Sequence, residues 1–212
     1  MQQLSGINAV IFYSSTIFSS GNDDGSADNG AKIGTALVGV FNMVSTLVAM
    51  VLLKYFGRKT LLVFGQITMA ACLGLLGLFF STNQTLLIKV FTLAFVVFFE
   101  FSSGPILWLY NAEILPASGI SVATFINWAA TIVISLVTPV MVNDEHKNPG
   151  PNWTFWIYGI LCVLGLLFVL FFVKETKGKT EQQIKMMYAP AGAESVLSGG
   201  QFGKVNTSGE MH

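Results

Sequence analysis

The residues able to do chemistry gather first in one stretch, Phe98 to Pro116, which reads FFEFSSGPILWLYNAEILP. Inside a long apolar run it carries Glu100, Glu113, Trp108 and the pair Gly104-Pro105. Gly104 and Pro105 interrupt a helical ladder, and at bilayer depth non-helical backbone persists only where protein or a water-filled cavity satisfies the freed groups. The break therefore implies a cavity. Trp108, three residues beyond Pro105, stands on its wall and offers a flat apolar face and one N–H donor. Glu100 and Glu113 bracket the break. Each reads either as a functional acid within a span or as a solvated carboxylate fastening a helix end.

A second polar group opens the chain, with Gln2, Gln3 and Asn8. Steps of three, four or seven residues put Gln3, Ile7, Asn8 and Ser15 on one helical face. Amides both donate and accept, so this stripe suits a ligand rich in hydroxyls; it equally suits polar packing between helices. Either way the chemistry is neutral binding and not bond breaking. Cys72 and Cys162 lie inside apolar runs, and His146 and His212 are isolated. With no grouped metal ligands and no Ser/His/Asp arrangement, the chain is expected to be no enzyme and to hold no metal or cofactor.

The elements that must position these residues follow from composition. Hydrophobic residues make up 53% of the 212 and charged residues 10%, with mean hydropathy +0.66, which points to a polytopic membrane protein in contact with a lipid bilayer. Net charge is zero and no polybasic block is present, which sets nucleic acid aside. The apolar runs predict an all-α protein of six transmembrane helices at about 4–20, 33–53, 61–80, 86–112, 120–142 and 153–173, forming one unit over 1–185. Polar loops are expected at 21–30 and 143–152. A small, polar tail over 186–212 is expected to be disordered. Lys54, Arg58 and Lys59, then Lys174, Lys177, Lys179 and Lys185, fall on one side, against single lysines on the other. The excess of basic residues on cytoplasmic loops then puts that side and the tail in the cytoplasm.

Five ordered motifs carry a resemblance: QQLSGIN at Gln2 to Asn8, GRK at Gly57 to Lys59, GPILWLYNAEILP at Gly104 to Pro116, NW at Asn127 and Trp128, and ETKGKT at Glu175 to Thr180. Together they identify the chain as similar to the sugar porters of the major facilitator superfamily, nearest the facilitative glucose (hexose) transporters, from Gln2 to about Ile184. The resemblance implies the C-terminal six-helix half of a twelve-helix plasma-membrane transporter, with the N-terminal half as its partner. A midplane site between repeats is general in that superfamily. Its substrate would be a hexose, with glucose the expected sugar.

The resemblance also implies roles. Sugar hydroxyls would be bound by Gln2, Gln3, Asn8, Asn42, Glu100 and Trp108, with Ile7 and Phe99 as apolar lining. Arg58, Lys59, Glu113 and Glu175 would form a cytoplasmic latch between the halves. Departures from the family pattern are Lys54 before GRK, Lys174 in place of a proline, Ser102 and Ser103 in place of Gly-Pro, and Leu107 in place of a second proline. The arginine expected between Pro116 and Asn127 is absent, which leaves Glu113 without its usual partner. The function this implies is sugar transport by alternating access. The alternatives are a non-transporting sugar sensor on the same scaffold and an inactive fragment.

Overall fold

The structure, a computed structural model, describes residues 1–19, 27–142 and 150–188; they are helical, with no strand among them. A 3-10 turn, Gln3–Ser5, is followed by α1 (Ile7–Ser19), α2 (Ala27–Tyr55), α3 (Arg58–Ser81), α4 (Thr85–Phe101), α5 (Pro105–Ile114), α6 (Ala117–Val142), α7 (Gly150–Phe172) and α8 (Glu181–Tyr188). The expected loops therefore shorten, because α2 begins at Ala27 and α7 at Gly150. The loop residues Asp23 and Asp24, and residues 143–149, lie outside the described residues.

Five segments are long and apolar enough to cross a bilayer: Lys32–Tyr55, Arg58–Ser81, Thr85–Ile114, Ala117–Val142 and Gly150–Phe172. The first expected span, 4–20, is not among them. Gly6 takes φ +83°, a left-handed conformation open to glycine, and ends the 3-10 turn, so α1 keeps 13 residues. At 1.5 Å per residue the described part of α1 covers roughly 20 Å of a hydrocarbon core of about 30 Å. Gly6 lies so near the Tyr158 ring of α7 that an added Cβ would overlap it.

Lipid tails are as apolar as leucine, so close packing and interhelical hydrogen bonds hold such a bundle together. One core joins α1, α3, α4 and α7 through Val10, Met69, Leu73, Phe95 and Phe155, with the Phe80 and Phe155 rings stacked at 5.2 Å. A smaller one joins the start of α3 to α5 and the end of α7 through Leu61, Leu62, Ile106, Tyr110 and Val169. Phe99 belongs to the first and Ile106 to the second, so the α4–α5 break falls between the two cores. Polar cross-links reinforce them: Trp156 Nε1 donates to the Gly74 carbonyl at 3.1 Å, and the Thr138 and Tyr158 hydroxyls lie 2.7 Å apart. Large apolar side chains on the outer faces, among them Phe125, Ile132, Leu136 and Phe171, stay bare, as in a protein surrounded by lipid.

The expected helix 86–112 is divided. α4 stops at Phe101, and Pro105 opens α5 at its first position, where a missing N–H leaves no bond unmade. α8 runs to Tyr188, two residues past the expected start of the tail at 186. Thr180 and Gln183 form a capping box there, with Gln183 Oε1 accepting from the Thr180 N–H at 3.0 Å and Thr180 Oγ1 from the Gln183 N–H at 3.4 Å. Residues 189–212 lie outside the described residues.

Candidate functional site

The break is held by an amide from the other end of the chain. Gln2 Nε2 donates to the carbonyls of Ser103 at 3.0 Å and Gly104 at 3.3 Å. From the opposite side Gln66 Nε2, buried on α3, donates to Ser103 Oγ at 3.1 Å. Pinned there, α5 turns one face inward with Ile106 and Tyr110 and presents Trp108 and Asn111 on another, with Leu107 touching both the core and the cleft. That second face lines a cleft of about 410 Å³, closed by Gln2, Gln3 and Leu4 and by Ala123, Ile126, Asn127 and Ala130 of α6. The lining contains amides, an indole and apolar groups, and no charged side chain.

Within the cleft Gln3 is tied on both sides. Its Oε1 accepts from Asn8 Nδ2 at 2.6 Å, and its Nε2 donates to Asn127 Oδ1 at 3.3 Å. The Trp108 ring is 37% exposed, enough to present its face to the cleft. Gln2, Gln3 and Trp108 are thus brought together at one site, with Asn8 behind Gln3. Asn42 and Glu100 meet elsewhere. Asn42 Nδ2 donates to Glu100 Oε1 at 2.7 Å and Thr46 Oγ1 to Glu100 Oε2 at 2.9 Å, on a face between α2 and α4. Ile7 and Phe99 are buried in the larger core and do not line the cleft.

A second constellation sits where α2 turns into α3. Arg58 donates to Glu113 Oε1 through Nε at 3.2 Å and Nη2 at 2.9 Å, and Thr176 Oγ1 donates to Glu113 Oε2 at 2.5 Å. Glu113 therefore has a guanidinium partner, although the arginine expected beyond Pro116 is absent. Glu175 caps α3 from outside it, accepting the N–H groups of Arg58 at 2.8 Å and Lys59 at 3.1 Å. Gly57 makes this possible, since a Cβ there would overlap the Glu175 carboxylate. Burial pushes the Glu175 carboxyl up, but donation from the backbone of Lys177, Arg58, Lys59 and Thr176 outweighs it and holds the group below the usual 4.5. Lys59 joins the cluster by its backbone; its Nζ turns to the Leu170 carbonyl at 2.9 Å. Lys54 makes no ion pair among the described residues.

The sequence reading had no site role for Asn127, Thr46, Thr176 or Asn111. Asn127 was visible only as half of a dipeptide motif. Asn111 had a local signal, since an amide three residues beyond Trp108 shares its helix face.

A bundle of membrane-length helices carries a cleft lined by amides, an indole and apolar groups, and comparison gives the class its name. The family described as Sugar (and other) transporter matches residues 1–188, and the chain belongs to it. It is thus an integral, multi-pass membrane protein. It is 41% identical over 201 residues to the facilitated trehalose transporter Tret1 of Drosophila mojavensis, covering 88% of this chain and 22% of that protein. To Tret1 of Apis mellifera ligustica it is 36% identical over 199 residues, covering 89% and 38%. Among solved structures it resembles the proton:xylose symporter XylE bound to 6-bromo-6-deoxy-D-glucose, with TM-score 0.78, 31% identity, and coverage of 89% of this chain and 40% of that one. The partially occluded inward-open form of XylE from E. coli matches with TM-score 0.71 and 34% identity over 84% and 38%. The chain spans less than half the length of each of these proteins.

Proposed function

We propose that this chain carries a neutral sugar across a membrane by alternating access, as the C-terminal six-helix half of a two-bundle transporter. The observation that carries this reading is the cleft beside the α4–α5 break, where Gln2, Gln3 and Trp108 meet with no charged side chain among the lining residues. A sugar offers many hydroxyls and no charge; amides serve the hydroxyls in either direction and an indole covers the apolar face of the ring. The unit recognised is a hexose, glucose first, free or within a disaccharide such as the trehalose named for the Tret1 relatives. In this reading Asn8, Asn42 and Glu100 complete the pocket when the second bundle closes over it, and Ile7 and Phe99 belong to the core that backs it. Arg58, Lys59, Glu113 and Glu175 set the gate. The basic turn and α8 face the cytoplasm beneath a plasma membrane.

Sugar binding and uptake by the full-length protein in cell membranes test the reading. Trp108→Leu keeps apolar bulk but removes the ring face and donor, and Gln3→Leu removes the amide. A net hydrogen bond contributes roughly 0.5 to 1.5 kcal/mol, so each variant should weaken sugar affinity on the order of tenfold at normal expression. Unchanged affinity in both would falsify the cleft assignment. Saturable uptake separates transport from sensing, because a sensor binds the sugar without moving it.

A further inference from the structure

One amide of the cleft has no assigned work. Asn111 lies on α5 three residues beyond Trp108 and lines the same wall. The other amides are engaged: Gln2 by the Ser103 and Gly104 carbonyls, Gln3 by Asn8 and Asn127. The Asn111 side chain makes no hydrogen bond among the described residues, and only its backbone carbonyl is used, by the Leu115 N–H at 2.9 Å. Nor is it among the residues that α5 buries, which are Ile106 and Tyr110. An amide inside a spanning segment that bonds to nothing costs free energy, and such groups persist where a cavity brings a partner to them.

Resting on the reading of the cleft as a sugar site, we propose that Asn111 is a specificity-determining contact that reads one ring hydroxyl, or a vicinal pair, of the sugar seated against Trp108. The amide supplies one acceptor and two donors in a plane, which matches two adjacent hydroxyls, one donating and one accepting. An anionic ligand would find no basic side chain on this wall, and a purely apolar one would strand the amide. Asn111 therefore discriminates by hydroxyl position and configuration. A site built to bond a hydroxyl rejects the analogue that lacks it, because its own polar group is then left unpaired.

The experiment is a set of monodeoxy glucose analogues measured for binding to the full-length protein in membranes, with Asn111 intact and with Asn111→Val. In the intact protein one analogue, or two adjacent ones, should bind about tenfold more weakly than glucose. In Asn111→Val glucose should fall to the level of that analogue and the penalty should vanish, while penalties at other positions remain. Asn111→Ser, which keeps a hydroxyl, should restore part of the discrimination and serves where the valine variant expresses poorly. If every deoxy penalty is the same in the intact protein and in the variants, the inference is overturned, and Asn111 meets protein instead of sugar. The two readings fail separately. Trp108→Leu weakening sugar binding while the Asn111 variants leave every penalty untouched sinks only this inference, whereas no effect of Trp108→Leu and Gln3→Leu sinks the cleft.

Discussion

Trp108 and Glu113 share one ten-residue helix, yet the regions they belong to are built on opposite terms. Around Trp108 the groups are neutral and part of their bonding capacity is unspent, as Asn111 shows. Around Glu113 the groups are charged and every carboxylate oxygen is occupied: Glu113 by Arg58 and Thr176, Glu175 by four backbone N–H groups. A saturated polar cluster fixes geometry, because removing any member leaves another unpaired. An unsaturated one is poised to take a partner from outside. The short helix α5 thus joins a rigid junction to a receptive wall.

The comparison breaks most visibly at the junction. Glu113→Ala leaves the half-buried Arg58 guanidinium and the Thr176 hydroxyl without their acceptor, and should destabilise the fold by about 2 kcal/mol, between the values for exposed and buried pairs. For a chain of this size that lowers the melting temperature by roughly 4–8 °C. Sugar affinity should stay within about twofold, since an interaction absent from the cleft adds nothing to binding there. A loss of affinity matching that of Trp108→Leu would show that junction and cleft are one site.

Glu175 sharpens the contrast through pH. Its carboxyl titrates lower in the folded chain than the ordinary 4.5, so its charge stabilises the fold above that pH, and the contribution fades as pH falls through the folded value. Thermal unfolding should therefore lose stability on acidification below about pH 4.5, and Glu175→Gln should flatten that part of the curve. The group is partly solvated, which limits the effect to about 1 kcal/mol. An unaltered acid limb in Glu175→Gln would remove Glu175 from the set of groups that hold the junction.

Much of this was legible in the sequence, and what was not has a physical pattern. Gly104-Pro105 announces the break because proline cannot continue a ladder from within, and the long apolar runs announce five spans by length alone. The division at Gly6 was hidden, because the ring that leaves no room for a side chain there, Tyr158 of α7, lies far along the chain. The Arg58–Glu113 pair was half visible: the resemblance grouped the two in one latch, whereas the direct contact, with Arg58 on another helix standing in for the missing arginine, was not legible. Ile7 and Phe99 show a different limit, since an apolar side chain reads alike whether it lines a cavity or fills a core. α8 was readable, for Thr180-Glu181-Gln182-Gln183 is a capping-box pattern followed by an i,i+4 pair, Glu181 and Lys185, at 2.6 Å.

The smallest effect is expected at Lys174, where the resemblance implies a proline. A proline there would have no N–H, but Lys174 donates its own to Tyr110 Oη at 3.0 Å and Tyr188 Oη at 3.1 Å, and the two tyrosine hydroxyls meet each other. Its ammonium lies 5.2 Å from the Tyr188 ring centroid and donates to the Met187 carbonyl at 2.6 Å. These contacts clasp the last turn of α8 onto α5 and the end of α7, joining a peripheral helix to the one that carries both Trp108 and Glu113. Lys174→Pro removes the backbone donor and the cation together. At an exposed position a cation over an aromatic ring contributes about 0.5–1 kcal/mol, and water replaces part of the lost hydrogen bonding. Hydrogen exchange in α8 should therefore quicken by roughly three- to fivefold, with sugar affinity and the melting temperature nearly unchanged. If α8 instead exchanges as in the native chain, the capping box, the Glu181–Lys185 pair and the buried Ile184 side chain hold the helix without the clasp. If sugar affinity falls as well, the clasp reaches through α5 to the cleft, and the division of that helix into a rigid end and a receptive end no longer holds.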